Sequence, residues 1–459
     1  MIFAVTALAN LVAPFSINSV NLALPLLAVE FNASQSAVSW LTLVYSLVPS
    51  CTLLFFGRLA DIYGYRRQFF WGFVFFGLVS FLAPLVSTSL GVLIFFRCLQ
   101  GLGYAVLISI TQGILARTFD PSVRGRVLGT NAVFVSVGLA SGPTIGGLIL
   151  KYFTWHYIFY FSVPFCIIGA VCTLLCMKDD AADGRPRPDI DWHGTFWFSL
   201  CIGLLVCGVH YCWKWGVLSF AFTAAMLTSV ISFMVFVSTE KHTQTPLMPL
   251  LLLKSSSFNI ANAASAFSFA AQQMTIYLTP FLLIEVLSLP PDVAGLIMIS
   301  RPLVMVFSSP FGGAMTDRLG SKPPAFFGLA MIMVSCLLMS LVTGTSSKLF
   351  VTAALLVMGI GCGYSGTAIN TAILHAAPSE NSGVASGMLA TMRNIGQTFG
   401  VTFGSLLLTL GSSRYSSPAL TKQIVSVLAQ RDAFRFAAVL AVVSMVFIYL
   451  LPPQKSLKI

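Results

Sequence analysis

Long apolar stretches alternate along the chain with short segments rich in charges, glycine or proline. A helix needs roughly 20 mostly apolar residues to cross the hydrocarbon core of a bilayer, and these stretches are about that long. Their boundaries fall where charged residues, Pro or Gly cluster. The pattern predicts fourteen spans, numbered here in chain order: 2–26, 38–57, 68–87, 90–116, 127–150, 156–177, 192–212, 217–237, 258–285, 292–313, 324–344, 348–374, 383–410 and 433–451.

The composition supports this interpretation and excludes a soluble globular protein. Of the 459 residues, 57% are hydrophobic and 8% are charged, whereas soluble domains have roughly 25% charged residues. The mean hydropathy is +0.90. The fourteen spans leave no room for a sizeable domain outside the membrane. The predicted fold class is therefore an all-α polytopic membrane protein embedded in the lipid bilayer.

The basic residues indicate the orientation of the chain. There are 25 Lys and Arg against 14 Asp and Glu, and most basic residues lie between spans, where they fix topology and do not indicate binding to nucleic acid. With the N-terminus inside, the inner segments carry fifteen Lys and Arg and the outer segments carry seven. We therefore expect both termini to be cytoplasmic. Short loops and the absence of a targeting extension favour a multi-pass protein of the cell (cytoplasmic) membrane.

An internal repeat relates the two ends of the chain. The pattern Gly57-x3-Asp61-x2-Gly64 returns 256 residues later as Gly313-x3-Asp317-x2-Gly320. Other glycines return after 258 residues: Gly101 and Gly103 at Gly359 and Gly361, and Gly129, Gly138, Gly142 and Gly146 at Gly387, Gly396, Gly400 and Gly404. Transporters are commonly built from two related halves around a midplane site. The repeat predicts an N-terminal six-helix bundle (1–177), a linker with an inserted helix pair (178–257) and a C-terminal six-helix bundle (258–459).

The segment 57–67 joins spans 2 and 3 at the predicted inner face. Its glycines permit a tight turn and close helix approach, and its Asp and Arg side chains can form a charge network with neighbouring helix ends. A plain turn with solvated charges is the alternative. The second copy favours a conformational latch that holds one state until substrate or ion shifts the balance. The latch candidates are Gly57, Asp61, Gly64, Arg66, Arg67, Gly313, Asp317 and Gly320.

At these positions the sequence resembles the major facilitator superfamily, in particular its fourteen-helix drug:proton antiporter branch. The segment 57–67 matches the inner-loop signature, and 97–103 (RCLQGLG) resembles the span-4 signature. The pattern Gly138-x3-Gly142-Pro143-x2-Gly146-Gly147 resembles the span-5 signature of antiporters, and 155–164 is similar to the aromatic start of span 6. The resemblance covers essentially the whole chain. It implies the major facilitator fold, with two six-helix bundles that rock against each other, here with an inserted two-helix hairpin.

The span-5 motif also has a physical meaning. Glycine at every fourth position lets another helix pack closely, while Pro143 removes one backbone hydrogen bond and allows a bend. Simple close packing is the alternative. The second half keeps the glycines but has Val401 in place of the proline. This asymmetry favours a bending or sealing role for span 5.

Three arginines fall inside spans, where a charge costs about 2.5–3.5 kcal/mol on insertion scales and usually faces a cavity or a partner. For Arg97 the resemblance implies a cavity-side helix and a role, with Gln100, in proton relay or substrate coupling. Arg301 matches no family pattern, and snorkelling or a structural pairing with Glu285 is the alternative to a coupling role. Arg393 resembles a basic residue common in span 13, with either a structural or a cavity role.

One position departs from the family pattern. The resemblance implies a carboxylate in span 1 about nine residues before an Ala-Leu-Pro end, but Ser16 stands there. A proton-coupled carrier needs a group that takes up a proton on one side and releases it on the other. Among the fourteen carboxylates, Glu285 near the outer end of span 9 is the best placed, acting with Arg301 or Arg97. A plain position at the lipid interface is the alternative.

Uncharged polar side chains within the spans complete the candidate substrate cavity, although each could instead form hydrogen bonds between helices without any ligand. Gln112 and Asn370 are repeat mates and are expected to face each other. Few fixed charges would suit amphiphilic, cationic or neutral molecules better than phosphorylated metabolites. Together with Arg393, the candidates are Asn18, Asn21, Tyr45, Gln112, Gln272, Gln273, Tyr277, Asn370 and Asn394.

The sequence thus predicts a secondary active transporter, working as a monomer without a cofactor, that exports hydrophobic or amphiphilic small molecules against proton entry, as in multidrug efflux. A uniporter or importer of a neutral solute, not coupled to protons, is one alternative, which Ser16 favours. A transporter-like sensor or assembly partner is another. An enzyme or a metal site is not expected, because the ten cysteines and five histidines show no metal-ligand spacing and no nucleophile–base pattern.

Overall fold

The computed structural model describes residues 2–118, 121–177, 191–216, 219–243, 255–376, 382–415 and 421–452. Helices joined by short connections make up this part of the chain, which contains no β-strand. The helices are α1 (Ile2–Glu30), α2 (Gln35–Tyr63), α3 (Tyr65–Val86), α4 (Leu90–Thr118), α5 (Pro121–Tyr152), α6 (His156–Tyr160), α7 (Ser162–Cys176), α8 (Trp192–Trp215), α9 (Phe220–His242), α10 (Ser256–Phe281), α11 (Pro291–Met298), α12 (Ser300–Leu319), α13 (Lys322–Ser340), α14 (Lys348–His375), α15 (Ser382–Tyr415) and α16 (Lys422–Leu450).

The predicted fold class is confirmed. Thirteen helical segments of the described chain are long and apolar enough to cross a membrane, and α15, with 34 residues, brings the number to about fourteen. Two of these segments are interrupted helices: α6 and α7 meet at Phe161, and α11 and α12 meet at Ile299. A π-helical turn, Leu282–Val286, ends α10.

Local sequence explains where many helices begin. Side chains of Ser, Thr or Asp accept a hydrogen bond from the first free backbone N–H groups, which have no partner inside the helix. The residues that do so are Ser34, Asp191, Ser219, Ser255, Ser347 and Thr421. The Thr421 cap lets α16 begin at Lys422, well before the start at 433 that the apolar pattern predicts. Residues 411–415 and 422–432 are therefore helical.

The helices pack in the arrangement that the repeat predicts. In the first part of the chain α5 packs along α1, and α4 packs against α2 and α3. In the last part α15 packs along α10, and α14 packs against α12 and α13. The α8 and α9 helices pack on each other, and α8 also contacts α2 and α15. Between the first and last parts, the main contacts are those of α2 with α15 and of α5 with α11.

The repeat extends to individual glycine contacts. A Cβ atom at Gly142 would meet Asn18 of α1, and one at Gly400 would meet Gln273 of α10. Both glycines therefore let a helix lie against a polar residue of the first helix of its half. Asn18 and Gln273 are thus structural mates in the two halves, although no shared residue type relates them in sequence.

The two ends of the bundle are named here by residues. The helix order places Gly64 and Gly320 at the same end as the start of α1 and the end of α16. We call this the Gly64 end. Lys151 and Asp292 lie at the opposite end, which we call the Lys151 end.

Candidate functional site

Arg97 is fully buried among helices of the N-terminal half. Its Nε donates to the backbone oxygen of Leu41 at 3.1 Å, and its Nη1 donates to Ser16 Oγ at 3.1 Å and to Gln100 Oε1 at 2.9 Å. The ring of Tyr45 lies 4.1 Å from the guanidinium carbon. No carboxylate of the described chain forms an ion pair with Arg97. Neutral acceptors and an aromatic face therefore stabilise this charge.

The network around Arg97 ties four helices together. Gln100 Nε2 donates to Ser80 Oγ of α3 at 2.8 Å, and the Tyr45 hydroxyl donates to the backbone oxygen of Ala13 in α1 at 3.1 Å. Tyr45 also stacks on Tyr104. The structure thus brings together three of the residues singled out in the sequence, Arg97, Gln100 and Tyr45, with Ser16 at the place of the expected acid.

A small cavity lies between the two halves. About 20 Å3 of it is open to the centres of water molecules, roughly enough for a single water, whereas small-molecule sites measure about 300–1,000 Å3. Its walls come from α1 and α5 on one side and α10, α11, α12 and α14 on the other: Asn18, Leu139, Pro143, Thr275, Ile276, Thr279, Met298, Arg301, Pro302 and Leu355. The conformation that holds a substrate must therefore be a more open one.

Arg301 borders this cavity and is only half-buried. Its Nη2 donates to Gln272 Oε1 at 3.2 Å, and its Nε has no hydrogen-bond partner. Glu285 does not pair with it; the carboxylate is exposed at the Lys151 end and accepts from Gln35 Nε2 at 2.7 Å. The expected pairing of Glu285 with Arg301 or Arg97 is therefore absent, because the π-helical turn places Glu285 beside α2 of the other half.

The span-5 motif has two faces. Gly138, Gly142 and Gly146 lie against α1, where an added Cβ would meet backbone or side-chain atoms within 3.0 Å. Gly147 lies against α11 of the other half, and its Cβ would meet the backbone oxygen of Pro291 at 2.6 Å. The first face holds α5 inside its own half, and the second contacts the opposite half.

The contact of α5 with α11 closes the Lys151 end. Gly295 of α11 in turn leaves room for the backbone oxygen of Pro143. One helical turn further, Lys151 Nζ lies 2.7 Å from Asp292 Oδ2. No motif in the sequence had indicated Lys151, Asp292 or Gly295 as site residues. One signal in the sequence could have marked this helix start: Pro291 is followed by Asp292 and, three residues later, by Gly295.

Small polar residues form direct hydrogen bonds between α2 and the C-terminal half. Ser405 Oγ donates to Ser39 Oγ at 2.9 Å, and Ser50 and Thr398 hydroxyls lie 3.1 Å apart. The buried Tyr277 donates to the backbone oxygen of Gln35 at 3.5 Å. Short hydroxyl side chains let the two helices lie close and can exchange partners when the halves move.

The remaining cavity candidates are dispersed. Asn21 accepts from Thr42 within the N-terminal half at 2.5 Å. The buried Asn394 donates to its own helix, Gln273 is buried, and Asn370 is half-buried. The side chain of Gln112 lies outside the described residues, so its expected approach to Asn370 stays a prediction.

Arg393 is the third arginine within a span. It is half-buried on α15 and lies close enough to Tyr104 of α4, in the other half, to interact with it electrostatically. The described residues offer no acid as an ion-pair partner for it. Arg393 therefore adds a second positive charge, besides that of Arg301, where the halves face each other.

The latch candidates at the Gly64 end fall into two kinds. Gly64 and Gly320 adopt positive φ, 89° and 79°, which favours glycine. Gly57 and Gly313, in contrast, lie within helices with nothing within 4 Å of an added Cβ. In this conformation no described residue approaches Gly57 closely, and a close approach there stays a prediction.

The charged latch residues differ in their surroundings. Arg66 Nη2 donates to the backbone oxygen of Leu174 at the end of α7, at 2.9 Å. Arg67 and Asp317 are exposed. The side chain of Asp61 lies outside the described residues. The contribution of Asp61 and Asp317 to a latch stays a prediction.

Two repeated helical halves that enclose a polar, partly charged seam within a membrane define a solute transporter, not an enzyme. No group of three or more His, Cys, Asp or Glu that could hold a metal ion occurs within the part of the chain that the structure describes. The sequence matches the profile of the Major Facilitator Superfamily over residues 6–400 and 261–458, and the chain belongs to this family.

Several transporters and resistance proteins are similar in sequence to this chain. The riboflavin transporter RibZ of Clostridioides difficile is 29% identical over 84% of this chain and 83% of its own length. The multidrug resistance protein Stp of Mycobacterium tuberculosis is 31% identical over 84% of this chain and 72% of its own. The tetracenomycin C resistance and export protein of Streptomyces glaucescens is 28% identical over 85% and 72%. The relatives named for multidrug resistance and for tetracenomycin C export are consistent with the drug:proton antiporter branch.

Solved structures confirm the fold. A D-xylose-proton symporter superposes with a TM-score of 0.69 at 13% identity, over 98% of this chain and 97% of that chain. A peptide transporter of the POT family superposes with a TM-score of 0.71 at 16% identity, over 98% and 95%.

Proposed function

We propose that this transporter exports hydrophobic or amphiphilic small molecules against proton entry. The contact of α5 with α11 carries the proposal, because it closes the Lys151 end with backbone packed on backbone at Gly147 and Gly295. The basic residues predict that the Lys151 end is the outer one. With this end closed, the cavity can widen only towards the cytoplasm, where it would bind a substrate. The name of the tetracenomycin C resistance and export protein supports the direction of transport.

The proposed mechanism is alternating access by a monomer in the cytoplasmic membrane, with both termini cytoplasmic. The two six-helix bundles, residues 1–177 and 258–459, rock against each other. The inserted segment, residues 178–257, moves with α2 and α15, which α8 contacts. When the Lys151 end opens, the Gly64 end must close. Gly57 and Gly313 then provide the free surface on which the opposite half packs.

The proposed proton carrier is Glu285. Its carboxylate is exposed at the Lys151 end and accepts a hydrogen bond from Gln35 of the opposite half. A hydrogen bond to an ionised carboxylate is roughly twice as strong as one between neutral groups. Protonation of Glu285 therefore weakens a link between the halves and favours opening at this end.

The test uses proteoliposomes with an imposed pH gradient and an internal pH dye, to which amphiphilic dyes of positive, zero and negative charge are added. We expect substrate-dependent collapse of the gradient by the wild type. Glu285→Gln should retain substrate exchange at zero gradient but lose gradient-driven transport. Glu30→Gln is the matched control, because Glu30 is another exposed carboxylate at the Lys151 end. Gradient-driven transport by Glu285→Gln at the wild-type rate would exclude Glu285 as the carrier.

Uncoupled transport of a neutral solute is the second candidate. It is favoured by the Arg97 network, in which Ser16 supplies a hydroxyl where an acid is expected. The name of the riboflavin transporter RibZ fits a substrate outside the multidrug class. Transport of a labelled compound without any proton movement in the same proteoliposomes would establish this candidate.

A further inference from the structure

Each half carries an arginine within a predicted span, Arg97 on α4 and Arg301 on α12. A Cβ at Gly101 would meet Val44 and Val48 of α2. A Cβ at its repeat mate Gly359 would meet Arg301 and Val304 of α12. The packing of α4 on α2 therefore corresponds to the packing of α14 on α12. Arg301 thus lies on the helix that corresponds to α2, whereas Arg97 lies on α4.

The two arginines lie on helices that do not correspond in the repeat, so their surroundings differ. The residue 258 positions after Arg97 is Leu355, which lines the cavity beside Arg301. Arg97 itself is fully buried within its half. Arg301 stands at the surface of its half that meets the other half, and it borders the cavity.

Arg301 has hydrogen-bond donors to spare. One bond, from Nη2 to Gln272, is the only one that its side chain makes to the described residues. The hydroxyls of Thr275 and Thr279, which also line the cavity, donate to carbonyl oxygens of their own helix at 3.0 and 2.7 Å. A substrate in the enlarged cavity would meet mainly apolar walls, the Asn18 amide and a guanidinium group with free N–H donors.

The charge of this surface is positive. Neither Arg301 nor Arg393 of the same half forms an ion pair with the described residues. A guanidinium in an apolar environment is costly unless an acceptor meets it, and it repels cations. Carboxylates match the geometry of the guanidinium because they accept two N–H donors at once.

We propose that Arg301 anchors the substrate and that the substrate carries an anionic, hydrogen-bond-accepting group on an apolar body. This inference rests on the proposed transport of amphiphilic molecules and names their charge. It reverses the expectation from the sequence of a cationic or neutral substrate, because the one charged side chain among the described residues that line the cavity is Arg301.

Binding of two dyes to the purified protein in lipid nanodiscs tests the proposal. Fluorescein and rhodamine 6G share a xanthene ring system, but the first is an anion and the second is a cation. Fluorescence anisotropy should show that the wild type binds fluorescein at least tenfold more tightly than it binds rhodamine 6G. Arg301→Gln should abolish the preference, Arg301→Lys should keep it in part, and Arg301→Glu should reverse it. Arg435→Gln, which changes an exposed arginine on α16, should leave it unchanged.

Three results would overturn the proposal: equal or tighter binding of rhodamine 6G by the wild type, no saturable binding of fluorescein, or an Arg301→Gln variant that keeps the preference. The wild-type comparison needs no variant, so a misfolded variant does not prevent a decision. Binding is measured without a gradient and without flux. A protein that binds fluorescein through Arg301 but transports nothing would therefore contradict the proposed export and leave the anchor in place.

Discussion

Arg97 Nη1 donates to Ser16 Oγ at 3.1 Å inside the N-terminal half, so a permanently charged side chain meets a neutral hydroxyl. Both residues are fully or almost fully buried. Tyr45, Gln100 and the Leu41 carbonyl complete the surroundings of the guanidinium. Because the hydroxyl does not ionise near neutral pH, this pair lacks a group that could take up and release a proton during transport.

Ser16→Asp should give the pair a titratable group. We expect the new carboxylate to accept from Arg97 and to make substrate accumulation depend more steeply on the imposed pH gradient than in the wild type. Accumulation of a labelled substrate in proteoliposomes at several gradients measures this dependence. Ser16→Asn is the matched control of similar size, and it should behave like the wild type. An unchanged slope for Ser16→Asp would show that this position takes no part in coupling.

Gly147→Ala should prevent closure at the Lys151 end. The added Cβ would meet the backbone oxygen of Pro291 at 2.6 Å, and backbone atoms of both helices would have to shift. We expect a loss of transport of about tenfold or more, with the folded protein still inserted. Gly203→Ala serves as the control, because the Cβ added there meets nothing within 4 Å. Equal transport by both variants would mean that the α5–α11 contact does not limit the cycle.

The ion pair of Lys151 and Asp292 should matter far less than the glycine packing beside it. The Lys151 side chain is 46% exposed, and ion pairs in contact with water contribute little. We expect Lys151→Ala or Asp292→Ala to change the transport rate by about fivefold at most, and the double charge swap Lys151→Asp with Asp292→Lys to restore it. Rates of the three variants at low and high salt provide the measurement. A complete loss in either single variant would contradict this order of importance.

The latch proposal predicts different outcomes at two neighbouring positions. Gly57→Val should leave the present conformation and the membrane insertion intact, because nothing lies within 4 Å of an added Cβ, but it should abolish transport by blocking closure of the Gly64 end. Asp61→Asn should abolish transport without affecting insertion. Asp317→Asn shows whether the second copy of the motif contributes equally. Efflux at the wild-type level from Gly57→Val or Asp61→Asn would contradict the latch.

Some features of the site follow from the sequence because they depend on spacing along a helix. The glycines of span 5 share faces at every third or fourth residue, so a packing role was predictable. The repeat, likewise, indicated which helices of the two halves correspond. The partner of Glu285 could not be predicted in this way, since Gln35 lies on a helix of the opposite half.

The sequence alone determined the membrane class, the number of spans, the repeat and the unusual arginines, because apolar length, glycine spacing and charge are properties of consecutive residues. Only the tertiary structure decided what each polar group meets. Arg97 forms hydrogen bonds with Ser16 and Gln100. Arg301 forms one with Gln272 and borders the cavity. These partners lie on other helices, and the direction in which a side chain points is fixed by how two helices pack, which no local pattern specifies.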